Sequence, residues 1–206
     1  MDENIGAHDA GLRASISVYD DTAADYGAEW DGFIADRLRT MAADLPVGSL
    51  VLDAGCGTGR DLSSWGQLGM RAIGVDLSIA MSRVTRRRGE TVARADLRSL
   101  PFANCAFAGV WAMASLVHLT HHQVTVALAE LRRVVQLDGV GVVTVKAQPP
   151  DGSSVAWNGR RWFSYWTPSA LAAAADQAGW CVEHCEREPD SRRPSVEWCV
   201  AELRRR

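Results

Sequence analysis

The residues best able to do chemistry lie in one short run, Asp53-Ala54-Gly55-Cys56-Gly57-Thr58-Gly59, directly behind the apolar segment Leu50-Val51-Leu52. Glycines there permit positive φ and, lacking a Cβ, let backbone amides approach a ligand at a helix N-terminus. A dinucleotide fingerprint is spaced G-x-G-x-x-G and seats a pyrophosphate on that helix. Here the spacing is G-x-G-x-G, and Asp53 adds a carboxylate that repels a pyrophosphate but suits a ligand carrying an ammonium and a sulfonium. No Lys-Ser/Thr pair follows, so a P-loop is excluded. The ligand implied is an adenosine without phosphates. Two more acids fit it. Asp76, 21 residues beyond Gly55, ends Gly74-Val75-Asp76, where an acid can accept from both ribose hydroxyls. Asp96, in Ala95-Asp96-Leu97, can accept from an adenine amino group.

Positioning these acids requires strand tips, and the chain alternates short β-rich runs with helical periods, the pattern of a mostly parallel sheet. Trp30, Phe33, Ile34, Leu38, Met41 and Leu45 predict one helix from about Thr22 to Leu45, stopped by Pro46 and Gly48. Strands are expected over Ser49 to Ala54, Met70 to Asp76, Thr91 to Ala95, Ala106 to Ala112 and Val140 to Ala147. Helices are expected from Asp61 to Leu68, from an N-cap at Ser78 to Arg88, and from the capping box Thr120-His121-His122-Gln123. The stripe of that last helix is Val124, Leu128, Leu131 and Val135, and it should end at Asp138-Gly139. Thr167-Pro168 opens a final helix closed by Gly179. Trp180 to Arg187 and Val196 to Leu203 read as a closing antiparallel pair, joined by residues 188–195. The expected fold is a single α/β domain, a doubly wound seven-stranded sheet with helices on both faces. Residues 1–45 would form a helical cap, 46–206 the core, and 150–167 a cover over the substrate.

The chain has 206 residues and a formal net charge of −3, which argues against a broad nucleic-acid footprint. Residues Met1 to Gly11 are polar and resemble no signal or transit peptide. No apolar run approaches the ~18 residues of a membrane span. Five scattered cysteines fit a reducing, cytoplasmic compartment.

Val51 to Asp61, Gly74 to Ser78, Arg94 to Phe102 and Phe107 to Leu119, in this order and spacing, resemble the class I S-adenosylmethionine (SAM)-dependent methyltransferases. The likeness runs from about Tyr19 to the C-terminus. It implies SAM as cofactor and S-adenosylhomocysteine (SAH) as product. By position it assigns Asp53, Gly55, Cys56, Gly57, Asp76 and Leu77 to the cofactor, with Gly55 and Gly57 approaching the methionyl end. Asp76 would hold the ribose, and Asp96 with the Leu97 amide the adenine. Ala112 and Met113 would contact the methionyl group again. Tyr19 and Tyr26, spaced Tyr-x6-Tyr, resemble an N-terminal lid. Asp138-Gly139-Val140-Gly141 stands where Pro-Gly-Gly is common, a departure expected to alter turn geometry rather than chemistry.

Other residues divide between structure and chemistry. Arg86-Arg87-Arg88 complements a helix dipole at its last turn, and Arg204-Arg205-Arg206 reads as a solvated tail. Cys181-x3-Cys185 around His184 resembles a metal fragment, but on a strand His184 points away from both cysteines, so no metal is expected. His121 and His122 sit at a helix start. His118 lies where an acceptor should approach and is either a general base or a packed residue shaping the pocket. The cluster Trp157, Trp162, Phe163, Tyr165 and Trp166 offers ring-stacking walls. Trp157, Trp162, Tyr165 and Trp166 are the substrate candidates, with Arg160 and Arg161 able to pair with an acidic group. The expected activity is methyl transfer to an O, N, S or C nucleophile of a small molecule, in secondary metabolism, by a monomer or homodimer without nucleic-acid or membrane partners. The alternatives are tRNA or protein methylation, and SAM binding without transfer.

Overall fold

Strand β1 (Leu50–Ala54) lies in the interior of the sheet because both its faces are apolar. Val51 and Leu52 are fully buried, and they face opposite ways. A computed structural model describes residues 3–26, 33–190 and 193–206. The elements run α1 (Glu3–Thr22), α2 (Phe33–Ala43), β1, α3 (Arg60–Gln67), β2 (Arg71–Asp76), α4 (Ile79–Arg87), β3 (Val92–Arg94), β4 (Phe107–Ala112), α5 (His121–Val134) and β5 (Val135–Lys146). After these come β6 (Val155–Trp157), β7 (Trp162–Ser164), α6 (Pro168–Gln177), β8 (Cys181–Pro189) and β9 (Glu197–Arg204). The fold is one α/β domain with a seven-stranded sheet ordered β3-β2-β1-β4-β5-β9-β8, and β6 and β7 form a separate hairpin. Strand β9 pairs antiparallel with both β5 and β8, while the other pairings in the sheet are parallel.

Alternation along each strand builds two cores, as period-two geometry requires. Leu52, Val143, Val145, Cys199, Ala201 and Leu203 pack with α5 and α6 through Leu128, Leu131 and Leu171. Val51, Val140, Val142, Trp198 and Val200 pack the other way, against Leu38 and Met41 of α2 and Trp65 of α3. Chain order reverses between β1 and β4, and a ligand crevice opens at such a switch point, outside the carboxyl ends of the strands.

Local signals fixed several boundaries. Ser78 accepts from the Met81 amide, Thr120 and Gln123 complete their capping box, and Thr167 caps α6 ahead of Pro168. Three expectations are corrected. The single helix from Thr22 to Leu45 is replaced by α1, which ends at Thr22, and α2, which begins at Phe33; Trp30 lies outside the described residues. Helix α5 stops at Val134, so Val135 is a strand residue, and Asp138 at φ 61° belongs to an irregularity in the β4–β5 register rather than a helix end. The segment after β5 forms the β6–β7 hairpin, pairing Trp157 with Trp162. Of the 188–195 connection, residues 191–192 lie outside the described residues. Among the described residues, no helix is long and apolar enough to cross a membrane.

Candidate functional site

The turn after β1 is tied to β2 before any ligand is considered. Both the Gly55 and Cys56 amides donate to the Val75 carbonyl, at 2.8 and 2.9 Å. Gly55 has φ +81°, and a Cβ there would sit 2.2 Å from Ser115 Cβ, so no larger residue fits without moving the segment after β4. Gly57 is also left-handed, at φ +53°, but its missing Cβ would meet nothing within 4 Å. The first glycine serves close packing; the second leaves space beside the loop.

Asp76, at the tip of β2, holds this loop open. Its Oδ2 accepts from the Gly57 amide at 2.9 Å and its Oδ1 from the Ser78 amide at 2.8 Å. A carboxylate offers about four lone-pair sites, so acceptor capacity remains for hydroxyls. Burial raises its pKa above the ordinary carboxylate value although both amides pull it down.

Asp53 is buried, and its Oδ2 has no hydrogen-bond partner among the described residues; the same holds for Ser115 Oγ. Both residues line one cavity of about 220 Å³. Burial first, then the neighbouring Asp61 and Asp76 charges, push the Asp53 carboxyl well above its usual range, with Arg60 opposing. A buried polar atom left unpaired costs stability, and such atoms on a cavity wall point to a polar occupant. The donor set fits an ammonium beside Asp53 and an uncharged adenosyl group beyond it.

The cavity is lined by Tyr19, Tyr26, Asp53, Gly55, Cys56, Gly57, Asp76, Leu77, Asp96, Leu97, Met113 and His118 from the sequence-based set, while Ala112 is buried behind it. Asp96 is engaged by Arg98, which donates to both its oxygens, from Nη2 at 2.7 Å to Oδ2 and from the amide at 2.9 Å to Oδ1. Burial pushes its pKa up, but the Arg98 contacts outweigh this and leave it lowered. Sequence reasoning missed Leu12, Ser15 and Ile16 of α1, and Ala114, Ser115, Thr144, Asp190 and Trp198. Ala114 carries φ 53°, and its amide is held by Thr144 Oγ1 at 2.8 Å. A non-glycine residue in that region is a local signal of a constrained site, but only the backbone reveals it.

Helix α1 roofs the cavity. Asp20 Oδ1 accepts from Ser78 Oγ at 2.5 Å and from the Ala80 amide at 3.0 Å, latching α1 to the start of α4. Tyr19 meets Tyr26 edge to face at 5.5 Å. Its hydroxyl lies 2.8 Å from His118 Nε2, and His118 Nδ1 lies 2.6 Å from the Trp162 carbonyl. A carbonyl can only accept, so Nδ1 carries the proton and Nε2 accepts from Tyr19. Burial, opposed by the Trp162 carbonyl and reinforced by Arg161 and Lys146, lowers the His118 pKa to about 4. The imidazole is neutral at physiological pH, with both nitrogens engaged.

A neutral buried histidine binds fewer protons than its unfolded counterpart between pH 6.5 and about 4. Stability therefore rises with pH across that window and is lost on acidification. We expect the unfolding free energy to fall by up to ~3 kcal/mol from this group as pH drops through it. Thermal melts of the wild type and His118→Gln check this: the variant should show the shallower slope, and equal slopes would mean the imidazole is not buried neutral.

The aromatic segment divides. Trp166 is buried in the core and donates Nε1–H to Ser164 Oγ. Trp157 is 53% exposed at the hairpin, and Arg160 is exposed. Trp162 packs on Gly11 of α1, and its amide donates to Ser15 Oγ at 3.2 Å. Tyr165 is half-buried against the α2-side core. None of Trp157, Arg160, Trp162, Tyr165 or Trp166 is among the residues lining the cavity. His184 pairs with Glu186.

Residues 51–139 match the methyltransferase domain. The chain is 35% identical over 168 residues to the demethylmenaquinone methyltransferase of Thermobifida fusca, covering 69% of this chain and 70% of that one. It is 30% identical over 171 residues to the tRNA (carboxymethyluridine(34)-5-O)-methyltransferase of Arabidopsis thaliana, covering 79% of this chain but only 38% of that protein. Among solved structures, the 1,6-didemethyltoxoflavin-N1-methyltransferase of Burkholderia thailandensis, with its substrate and SAH bound, superposes with a TM-score of 0.76. It is 21% identical, and the match covers 94% of this chain and 88% of that one. The chain belongs to the class I SAM-dependent methyltransferases.

Proposed function

We propose that this protein transfers the methyl group of SAM to a small-molecule acceptor. The observation carrying this reading is the pair of buried, unpartnered atoms, Asp53 Oδ2 and Ser115 Oγ, on the wall of a cavity roofed by α1. Asp53 would hold the methionyl ammonium, Asp76 the ribose, and Asp96 with Leu97 the adenine. Gly57 leaves room for the cofactor backbone. SAM supplies an already activated methyl group on its sulfonium. The chain's own contribution is then to orient the nucleophile and exclude water, and such positioning can supply several kcal/mol. The α1 roof, with Tyr19 pinned to His118 and Asp20 to α4, favours a small acceptor over a macromolecule. Its five free cysteines suit a reducing cytoplasm; secondary metabolism remains our assignment for its setting.

The test is incubation of purified protein and SAM with a metabolite library, read by mass spectrometry for products heavier by one CH2. Methylated products of low mass are expected. SAM binding without any SAH formed would instead indicate a protein that uses the ligand without transfer. The second reading is tRNA methylation, favoured by the similarity to the Arabidopsis enzyme. Methyl incorporation into bulk tRNA would establish it.

Asp53→Asn should separate stability from binding. An acid whose folded pKa is raised contributes stability in its neutral form, lost as pH rises above the ordinary carboxylate range. The variant should therefore lose less stability than the wild type on going from acid to neutral pH. SAM affinity should fall about tenfold or more, because the ammonium loses its counter-charge. Melting curves and calorimetry test the two halves; unchanged SAM affinity would remove Asp53 from the site.

A further inference from the structure

Beyond His118 lie two cations that converge on one ring. Lys146, the last residue of β5, holds Nζ 4.3 Å from the Phe163 centroid. The Arg161 guanidinium lies 5.3 Å from the same centroid and 5.4 Å from that of Tyr19. Phe163 is buried and packs on His118 at 4.9 Å; His118 and Tyr19 line the cavity, whereas Lys146, Arg161 and Phe163 stand behind them and are not among its lining residues. No hydrogen-bond acceptor for Lys146 Nζ is present among the described residues, and the Arg161 guanidinium donates only to the Tyr19 hydroxyl, at 3.2 Å.

The carboxylate of this neighbourhood is already committed. Asp190 Oδ2 accepts from Trp198 Nε1 at 3.1 Å and faces Arg193 Nη2 at 3.6 Å, while its Oδ1 takes the Arg193 amide. Burial, then Arg161 and Arg193, lower the Lys146 pKa, with Asp190 opposing. Two cations that both contact one ring, in partial burial, repel one another, and an anion bridging them relieves that repulsion. A planar carboxylate matches both the guanidinium fork and the ammonium point charge.

We propose that the methyl acceptor is a small organic acid, whose carboxylate seats between Lys146 Nζ and the Arg161 guanidinium over Phe163. The proposal rests on the methyltransferase reading and narrows its substrate class. Arg161 does this alone of the two arginines, since Arg160 is exposed. Engagement of Arg161 also touches Tyr19, coupling the acid's arrival to the α1 roof.

The test is calorimetry on the SAH-loaded protein, titrated with benzoate, phenylacetate, cinnamate and hexanoate, each against its methyl ester. At least one acid should bind, with its ester weaker by about tenfold or more. Lys146→Met and Arg161→Met should each weaken that acid to a similar extent, with SAH affinity preserved in Lys146→Met as the check on folding. Equal affinity for acid and ester, no binding by any of the four acids, or undiminished acid binding in both variants would each overturn it. The ester comparison uses the unaltered protein and stands even if a variant fails to fold. Failure of SAH itself to bind would overturn the cofactor reading instead.

Discussion

Asp76→Ala is expected to lower SAM affinity by about a hundredfold, roughly 3 kcal/mol, while the protein still unfolds cooperatively. Two losses combine. The ribose hydroxyls lose their charged acceptor, and the Gly57 and Ser78 amides lose the two oxygens that fix the loop around the cofactor. Stability should move much less than binding, because the substitution also removes a carboxylate whose burial is unfavourable. Calorimetric titration with SAM, beside a denaturation curve, separates the two effects. Unchanged affinity would show that the ribose does not lie at the β2 tip.

Gly55→Ala carries the largest expected effect on the fold. The new Cβ would lie 2.2 Å from Ser115 Cβ and 3.3 Å from Ser115 Cα, at φ +81°. The left-handed backbone alone costs about 1–2 kcal/mol. Relief of the contact requires the segment after β4 to move, bringing the total to ~3–5 kcal/mol. That is a large part of a typical stability of about 5–15 kcal/mol. Gly57→Ala is the contrast, since its Cβ meets nothing. It should lose only the ~1–2 kcal/mol of the left-handed backbone, well short of Gly55→Ala, yet bind SAM less well, because the methyl enters space assigned to the ligand. A Gly55→Ala midpoint within the error of wild type would refute the close approach to Ser115.

The corrections share a cause. Helix α1 escaped the sequence reading because Ser15, Ile16 and Tyr19 face a cavity and only Leu12 also packs on the main core, so no continuous apolar stripe marks it. Its position comes from distant partners: Asp20 on the start of α4, and Ser15 and Gly11 against Trp162. The aromatic segment misled in the opposite sense. Five rings in sequence suggest one wall, but pairing in β7 and the Ala147–Trp166 bridge turn neighbours in different directions. Trp166 goes to the core, Trp157 to solvent, and Phe163 beneath the two cations.

The sequence alone determined the order of strands and helices around the glycine turn and the acids at three strand tips. Those features are local: a strand running into glycines leaves few backbone paths, and each acid sits at the end of its own strand. What folding decided is everything that joins distant segments. Tyr19 meets His118 across 99 residues, Gly55 proves to need the absence of a Cβ because of Ser115, and Lys146 and Arg161 both reach the Phe163 ring. Such pairs depend on chain reversal and packing in three dimensions, which no spacing along the chain encodes.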